Sequence, residues 1–192
     1  DKGYIERYIS IEGFEHIEKG FARGKGIVLV GIHEGSWELS NIVCANLGFP
    51  FVLFVREQGL PRLNRLLNTY RIEKGCKIIQ RPVPVPGAEN LGNGAKEQEK
   101  MSSWGVKPLI RALKANEAIG MTADQGGKNG ILVDFFSKQA SMPTGAVRLA
   151  YKNDACLIPV FFRRIRGPYT KIIVHPQVEI KKTQDQEHDI FE

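Results

Sequence analysis

This chain is poor in the residues that build metal centres and disulfide scaffolds: its 192 residues include only three cysteines and four histidines. Cys44, Cys76 and Cys156 lie in apolar or helix-end stretches, with no Cys-x-x-Cys pair and no paired histidines, which argues against a zinc site or a redox dithiol. An odd number of thiols without a secretory leader reads as reduced, buried small residues on the cytosolic side of a membrane. There is no run of about eighteen apolar residues, so the sequence as it stands holds no membrane-crossing helix. No internal repeat is visible. The segment Gly20 to Lys25 is no phosphate loop: its glycine spacing is short, no Ser or Thr follows the Lys, and it precedes an apolar strand where a phosphate loop follows one.

What is present describes an ordinary globular domain. With 42% hydrophobic and 25% charged residues, residues 1–192 are long enough to bury a substantial core as a single domain. A net charge of +6 and a pI near 9.3 favour anionic partners. A phosphorylated lipid, an anionic membrane surface and an acidic carrier protein fit better than nucleic acid.

The organising stretch runs from Ile27 to Glu38. The β-branched, apolar Ile27 to Val30 reads as a buried strand that empties into a polar turn carrying His33, Glu34 and Glu38, before an amphipathic helix with Leu39, Ile42, Val43 and Leu47. Parallel sheets bind ligands at the carboxyl ends of their strands, where His33 is placed. With Ser36 as helix N-cap, Glu38 in the first helical turn is expected to reach back to one ring nitrogen of His33. The other nitrogen then serves as a general base for a hydroxyl. A base supported by a carboxylate, with no Ser or Cys nucleophile in the motif, suits direct acyl transfer from a thioester to an alcohol.

Strands and helices alternate along the rest of the chain. Helical spacing of Phe14, Ile17 and Phe21 ends at Gly24; Phe51 to Val55 reads as a strand; Pro61 opens a helix with a Leu63, Leu66, Leu67, Tyr70 stripe ending at Gly75. Ala118 to Ala123 reads as a second strand of the same kind, placing Asp124 and Gln125 on the edge that carries His33, either lining an acceptor site or bonding loop backbone. Ile131 to Phe136 and Cys156 to Phe162 read as strands, Pro143 to Lys152 as a helix, and Tyr169 to Val174 as an antiparallel partner after the Gly167-Pro168 turn. Residues 82–105, rich in Pro and Val and then in Gly, Asn, Glu and Lys, read as an insertion-like loop, with Trp104 at its end as a core anchor for the next helix or, second, a membrane-interface contact. The charged tail from Lys181 is expected to fray. The fold class is α/β, a mixed, mostly parallel sheet with helices packed on it.

The motif His33-x4-Glu38, as His-Glu-Gly-Ser-Trp-Glu after a hydrophobic strand, resembles the signature of glycerolipid-type acyltransferases in its lipid A (late) acyltransferase variant. Further blocks occur in that family's order: Arg56 after an apolar strand, Arg71 followed by Gly75, Arg81 after Ile78-Ile79-Gln80, Asp124-Gln125, Asp134-Phe135-Phe136, Pro143 to Ala150, and Ile158 to Arg164. Together they span Ile11 to Val178. The resemblance implies an acyltransferase with His33 and Glu38 as catalytic residues. Arg56, Arg71, Arg81, Asp124, Gln125 and Arg163 are substrate-facing candidates, and no metal or cofactor is required. Arg suits anionic groups because its planar fork binds phosphate oxygens bidentately.

The implied donor is an acyl carrier protein thioester or acyl-CoA, and the implied acceptor is an anionic glycolipid, a lipid A precursor first and a phosphatidylinositol mannoside second. The implied location is the cytoplasmic face of the inner (plasma) membrane, peripheral or anchored by an N-terminal segment that family members usually carry and that is expected to be missing from the sequence as given. A C-terminal helix is expected to be lacking too. Two other classes compete: a metal hydrolase using His33, Glu34 and Glu38 as ligands, and a non-catalytic lipid-binding module.

Overall fold

The computed structural model describes residues 2–57, 59–81, 106–126 and 130–191. In chain order the first elements are α1 (Lys2–Tyr8), β1 (Ile9–Glu12), α2 (Phe14–Ala22), β2 (Ile27–Gly31), α3 (Leu39–Asn46), β3 (Phe51–Arg56), α4 (Pro61–Glu73) and β4 (Lys77–Arg81). After them come α5 (residues 106–114), β5 (Ala118–Thr122), β6 (Ile131–Phe135), β7 (Lys138–Met142), α6 (Gly145–Asn153), β8 (Cys156–Arg166), β9 (Tyr169–Val174) and α7 (Gln186–Phe191). The expected loop over residues 82–105 and Trp104 lie outside the described residues.

Seven strands form one sheet in the order β1-β9-β8-β2-β5-β3-β4. The five strands from β8 to β4 run parallel, β9 is antiparallel to β8, and β1 lies parallel to β9. This is the expected mostly parallel α/β sheet with an antiparallel edge. β2 sits at its centre because Ile27 and Val28 are both fully buried, one to each face. A strand covered on both faces needs the unbroken apolar run that the sequence supplies.

Alternation along β2 sorts the core into two layers. Ile27 and Leu29 pack with Ile17, Val43, Phe51, Val160 and Phe162, under α2 and α3. Val28 packs with Leu113, Ile119, Leu149 and Leu157, under α5 and α6.

Two local expectations are corrected, and the strand expected at Ile131 to Phe136 is present but placed apart from the main sheet. Ser36 is not a helix N-cap: residues 35–38 form turns, with the Leu39 and Ser40 amides donating to the Ser36 and Trp37 carbonyls, and α3 begins only at Leu39. Ile131 to Phe136 is one arm of a hairpin separate from the main sheet, its return arm being β7. The tail does not fray. Ile190 is buried, Asp189 accepts from Tyr151 Oη and from Thr183, and Glu187 takes both terminal nitrogens of Arg148. One apolar anchor and a bidentate ion pair outweigh the polar composition that suggested disorder.

Ile119 is fully buried at the centre of the α5/α6 layer. Truncation to Ala leaves a cavity that rigid strands on either side cannot close, so Ile119→Ala lowers unfolding free energy by about 2–5 kcal/mol in denaturant titration.

Candidate active site

The parallel register between β2 and β5 builds the site. Gly31 stands level with Thr122, and the Ala123 amide donates to the Gly31 carbonyl at 3.0 Å. His33 lies two residues beyond Gly31 and Asp124 two beyond Thr122, so the two chains leave the sheet side by side with both side chains at the carboxyl edge. Asp124 Oδ2 accepts from the His33 backbone amide at 2.9 Å, and Oδ1 lies 2.7 Å from His33 Nδ1. One carboxylate therefore fixes both the backbone and the ring. Trp37 packs edge-on against the imidazole, with centroids 4.8 Å apart.

The carboxylate on the ring is thus Asp124, and the expected reach of Glu38 to His33 is not made. The turn at 35–38 is the reason. Gly35 has φ +57, and a Cβ there would overlap the Phe162 carbonyl oxygen, so only glycine lets the turn press against β8. Arg164 Nη2 adds a long bond of 3.5 Å to Ser36 Oγ. The chain is thereby carried past the imidazole, and Glu38 enters the start of α3 facing α4.

There Glu38 Oε1 accepts from Arg71 Nη2 at 2.6 Å, while Arg71 Nη1 donates to Asn68 Oδ1 at 3.1 Å. The Arg71 side chain is only 8% exposed, whereas Glu38 is 45% exposed. Buried Asn41 donates to Glu38 Oε2 at 3.5 Å. Arg71 Nε is buried without a hydrogen-bond partner among the described residues. A buried guanidinium needs a counter-charge, because an unpaired one would bear its full desolvation penalty. Glu38 supplies it and in doing so ties the motif turn to α4.

Below His33 opens a cavity of about 670 Å³ between the sheet and helices α2 and α3. Its wall is largely apolar, including Phe14, Ile17, Leu29, Val43, Phe51 and Phe162, and its mouth carries His33, Trp37, Glu38, Arg56, Arg71 and Gln125. Cys44 also lines it, and burial there pushes its thiol up to about 12, which makes it an inert wall residue.

Sequence reasoning thus found His33, Glu38, Arg56, Arg71 and Gln125, all of which border one space. Arg81 stands beside Arg56 in the β3–β4 register but outside the cavity wall. Arg163 is exposed on β8 opposite Lys171, also outside it. Trp37, part of the His-Glu-Gly-Ser-Trp-Glu motif, was not expected to pack on the His33 ring. No group of three His, Cys, Asp or Glu side chains is arranged to hold a metal ion among the described residues, so His33, Glu34 and Glu38 do not form the ligand cluster of the hydrolase alternative.

A strand-end histidine clamped by a carboxylate thus stands at the mouth of a largely apolar cavity in an α/β fold. This chain belongs to the bacterial lipid A biosynthesis acyltransferase family, whose pattern it matches over residues 1–191. It is 27% identical to the lipid A biosynthesis lauroyltransferase of Escherichia coli over 83% of this chain and 46% of that protein. It is 23% identical to the lipid A biosynthesis acyltransferase of Haemophilus influenzae over 96% of this chain and 52% of that protein. It is 24% identical to the phosphatidylinositol mannoside acyltransferase of Mycolicibacterium smegmatis over 83% of this chain and 47% of that protein. The chain spans about half the length of these relatives.

Burial pushes the Asp124 carboxyl up, but hydrogen bonds from the His33 amide and ring outweigh it and hold the group below its ordinary value. A carboxyl whose pKa falls on folding contributes stability that is complete above its unfolded value of about 3.9 and is lost as pH falls through the lowered value. The melting-temperature advantage of wild type over Asp124→Asn is therefore expected at neutral pH and shrinks as pH drops below about 3.9. A pH-independent difference would contradict this origin.

Proposed function

We propose that the chain transfers an acyl group from a thioester to a hydroxyl of an anionic glycolipid, with the apolar cavity holding the acyl chain. The observation that carries this reading is His33, its Nδ1 held by Asp124, standing at the mouth of that cavity. With Nδ1 occupied, Nε2 is the nitrogen that takes the proton from the acceptor hydroxyl. The oxygen attacks the thioester carbonyl and forms a tetrahedral oxyanion. Its collapse breaks the C–S bond, and the proton passes from His33 to the leaving thiolate. No acyl-enzyme forms.

Asp124 holds the imidazole in one tautomer and balances its charge when it is protonated. Glu38 and Arg71 act as a brace that fixes the motif turn, and Arg71 places its positive charge in the cavity lining, where it would favour a developing oxyanion or a phosphate group. Arg56, with Arg81 beside it, supplies positive charge for the acceptor, and Gln125 borders the same mouth. Arg163 is exposed further along the edge.

The donor in this reading is acyl carrier protein thioester, with acyl-CoA as the alternative. The acceptor is a lipid A precursor at the cytoplasmic face of the inner membrane. A phosphatidylinositol mannoside is the second acceptor considered, because relatives that carry that name are about as similar to this chain as those named for lipid A. No helix among the described residues is long and apolar enough to cross a membrane.

The test is transfer of a labelled acyl group from acyl carrier protein thioester or CoA to each acceptor. Wild type is expected to acylate one of them, and His33→Ala and Asp124→Ala each to lose about a hundredfold or more, the scale set by a positioned general base and its support. Transfer unaffected by His33→Ala would refute the reading. Binding of anionic lipid without turnover, equal in wild type and His33→Ala, would instead establish a lipid-binding module.

A further inference from the structure

The β6–β7 hairpin stands outside the main sheet, yet its root is fixed at the site. A Cβ at Gly126 would overlap the Ser141 carbonyl, and one at Gly130 would crowd the Ser141 hydroxyl and the Met142 carbonyl. Gly126 follows Asp124 by two residues, and β7 leads into α6, whose first residue Gly145 rests against Met121 on β5. The hairpin thus springs from the carboxyl edge, beside the His33–Asp124 pair.

Its far end is an exposed aromatic pair. Phe135 is 53% and Phe136 87% exposed, their rings edge to face with centroids 4.7 Å apart, and Leu132 on the same hairpin is 63% exposed. The turn runs through Phe136 at φ +50 and Ser137 at φ +61. Two-residue turns with positive φ at both positions ordinarily take Asn-Gly, because a side chain as large as Phe is strained there. The ring gains no burial in return. Nothing among the described residues accounts for an aromatic at this position.

The surroundings identify what does. Lys138 faces Phe135 across the hairpin and is exposed. The exposed carboxyl end of β8 carries Arg163, Arg164 and Arg166, with Ile165 57% exposed among them. β3 ends at the same edge, where Leu60, 67% exposed, precedes α4 and its Arg62. Exposed apolar side chains and exposed cations at one edge of the molecule are the composition of an interfacial anchor: rings enter the boundary between headgroups and acyl chains, and cations meet anionic headgroups. A protein partner would bury so narrow a wedge only in a pocket shaped to it, whereas a bilayer accepts it without a template. The chain's charge of +6 complements an anionic leaflet.

We propose that Phe135 and Phe136 at the tip of this hairpin form a wedge that inserts into an anionic lipid bilayer and holds the His33 edge at the height of the headgroups. The positioning half of the proposal rests on the acyl-transfer reading. Insertion is measured without turnover, so failure of either shows separately.

The test compares wild type, Phe136→Trp and Phe136→Asp on vesicles of phosphatidylglycerol with phosphatidylethanolamine and on vesicles of phosphatidylcholine. Against the wild-type background of Trp37 and Trp104, the emission of Phe136→Trp shifts to the blue and is quenched by brominated acyl chains on the anionic vesicles. Phe136→Asp loses about tenfold or more in affinity for them, as removal of one partly buried ring requires, while its melting temperature and its transfer to detergent-dispersed acceptor stay at wild-type values. Wild-type vesicle affinity in Phe136→Asp, or no quenching in Phe136→Trp, overturns the proposal. So does a blue shift that acyl carrier protein produces and vesicles do not, which would make the tip a protein-docking element. Equal binding to phosphatidylcholine overturns the anionic requirement.

Discussion

The parallel pairing of β2 with β5 is the constraint on which the site depends. It brings two loops out of the sheet in step, so that Asp124 meets both the amide and the ring of His33 without any long or flexible side chain having to fold back. The two hydrogen bonds share one carboxylate, and loss of register by a single residue would turn one side chain to the opposite face of its strand. The burial of Ile27, Val28 and Ile119 makes such a slip unfavourable on both faces of the sheet. Core packing and site geometry are therefore the same feature seen from two ends of the strands.

Around this pair the acidic residues divide their work. Asp124 serves the imidazole, while Glu38 neutralises the buried Arg71 and ties α3 to α4 across 33 positions of sequence. The His-x4-Glu spacing is then a structural signature as much as a chemical one. Its histidine faces the cavity, and its glutamate fixes the wall in which that histidine is mounted.

The central strands and the edge that carries the chemistry were legible in the sequence, while the short β4 and β7 were not, because a buried parallel strand needs a continuous apolar run and then a polar turn. Ile27 to Val30 followed by His33, and Ala118 to Ala123 followed by Asp124, show both. What sequence spacing did not reveal is that β2 and β5 are neighbours, which is a property of the whole sheet, and so it assigned the nearer carboxylate to His33. Glu38 is close in sequence, but the left-handed Gly35 and its seat against β8 send it elsewhere. The hairpin was hidden for a related reason. Ile131 to Phe136 has the composition of a core strand, and only the backbone reversal at Phe136 and Ser137 shows that its last aromatic faces outward. The tail from Lys181 looked too polar to pack, and one buried Ile190 with two side-chain ion and hydrogen-bond clusters sufficed to hold it.

The most direct test of the His33–Asp124 assignment is nitrogen NMR of the labelled imidazoles at a pH where His33 is neutral. The expected result is a His33 ring protonated at Nδ1 and bare at Nε2, with the Nδ1 proton shifted downfield by Asp124 and that signature lost in Asp124→Asn but kept in Glu38→Gln. A His33 ring protonated at Nε2, or a signature that survives Asp124→Asn and vanishes in Glu38→Gln, would contradict it and return the supporting role to Glu38.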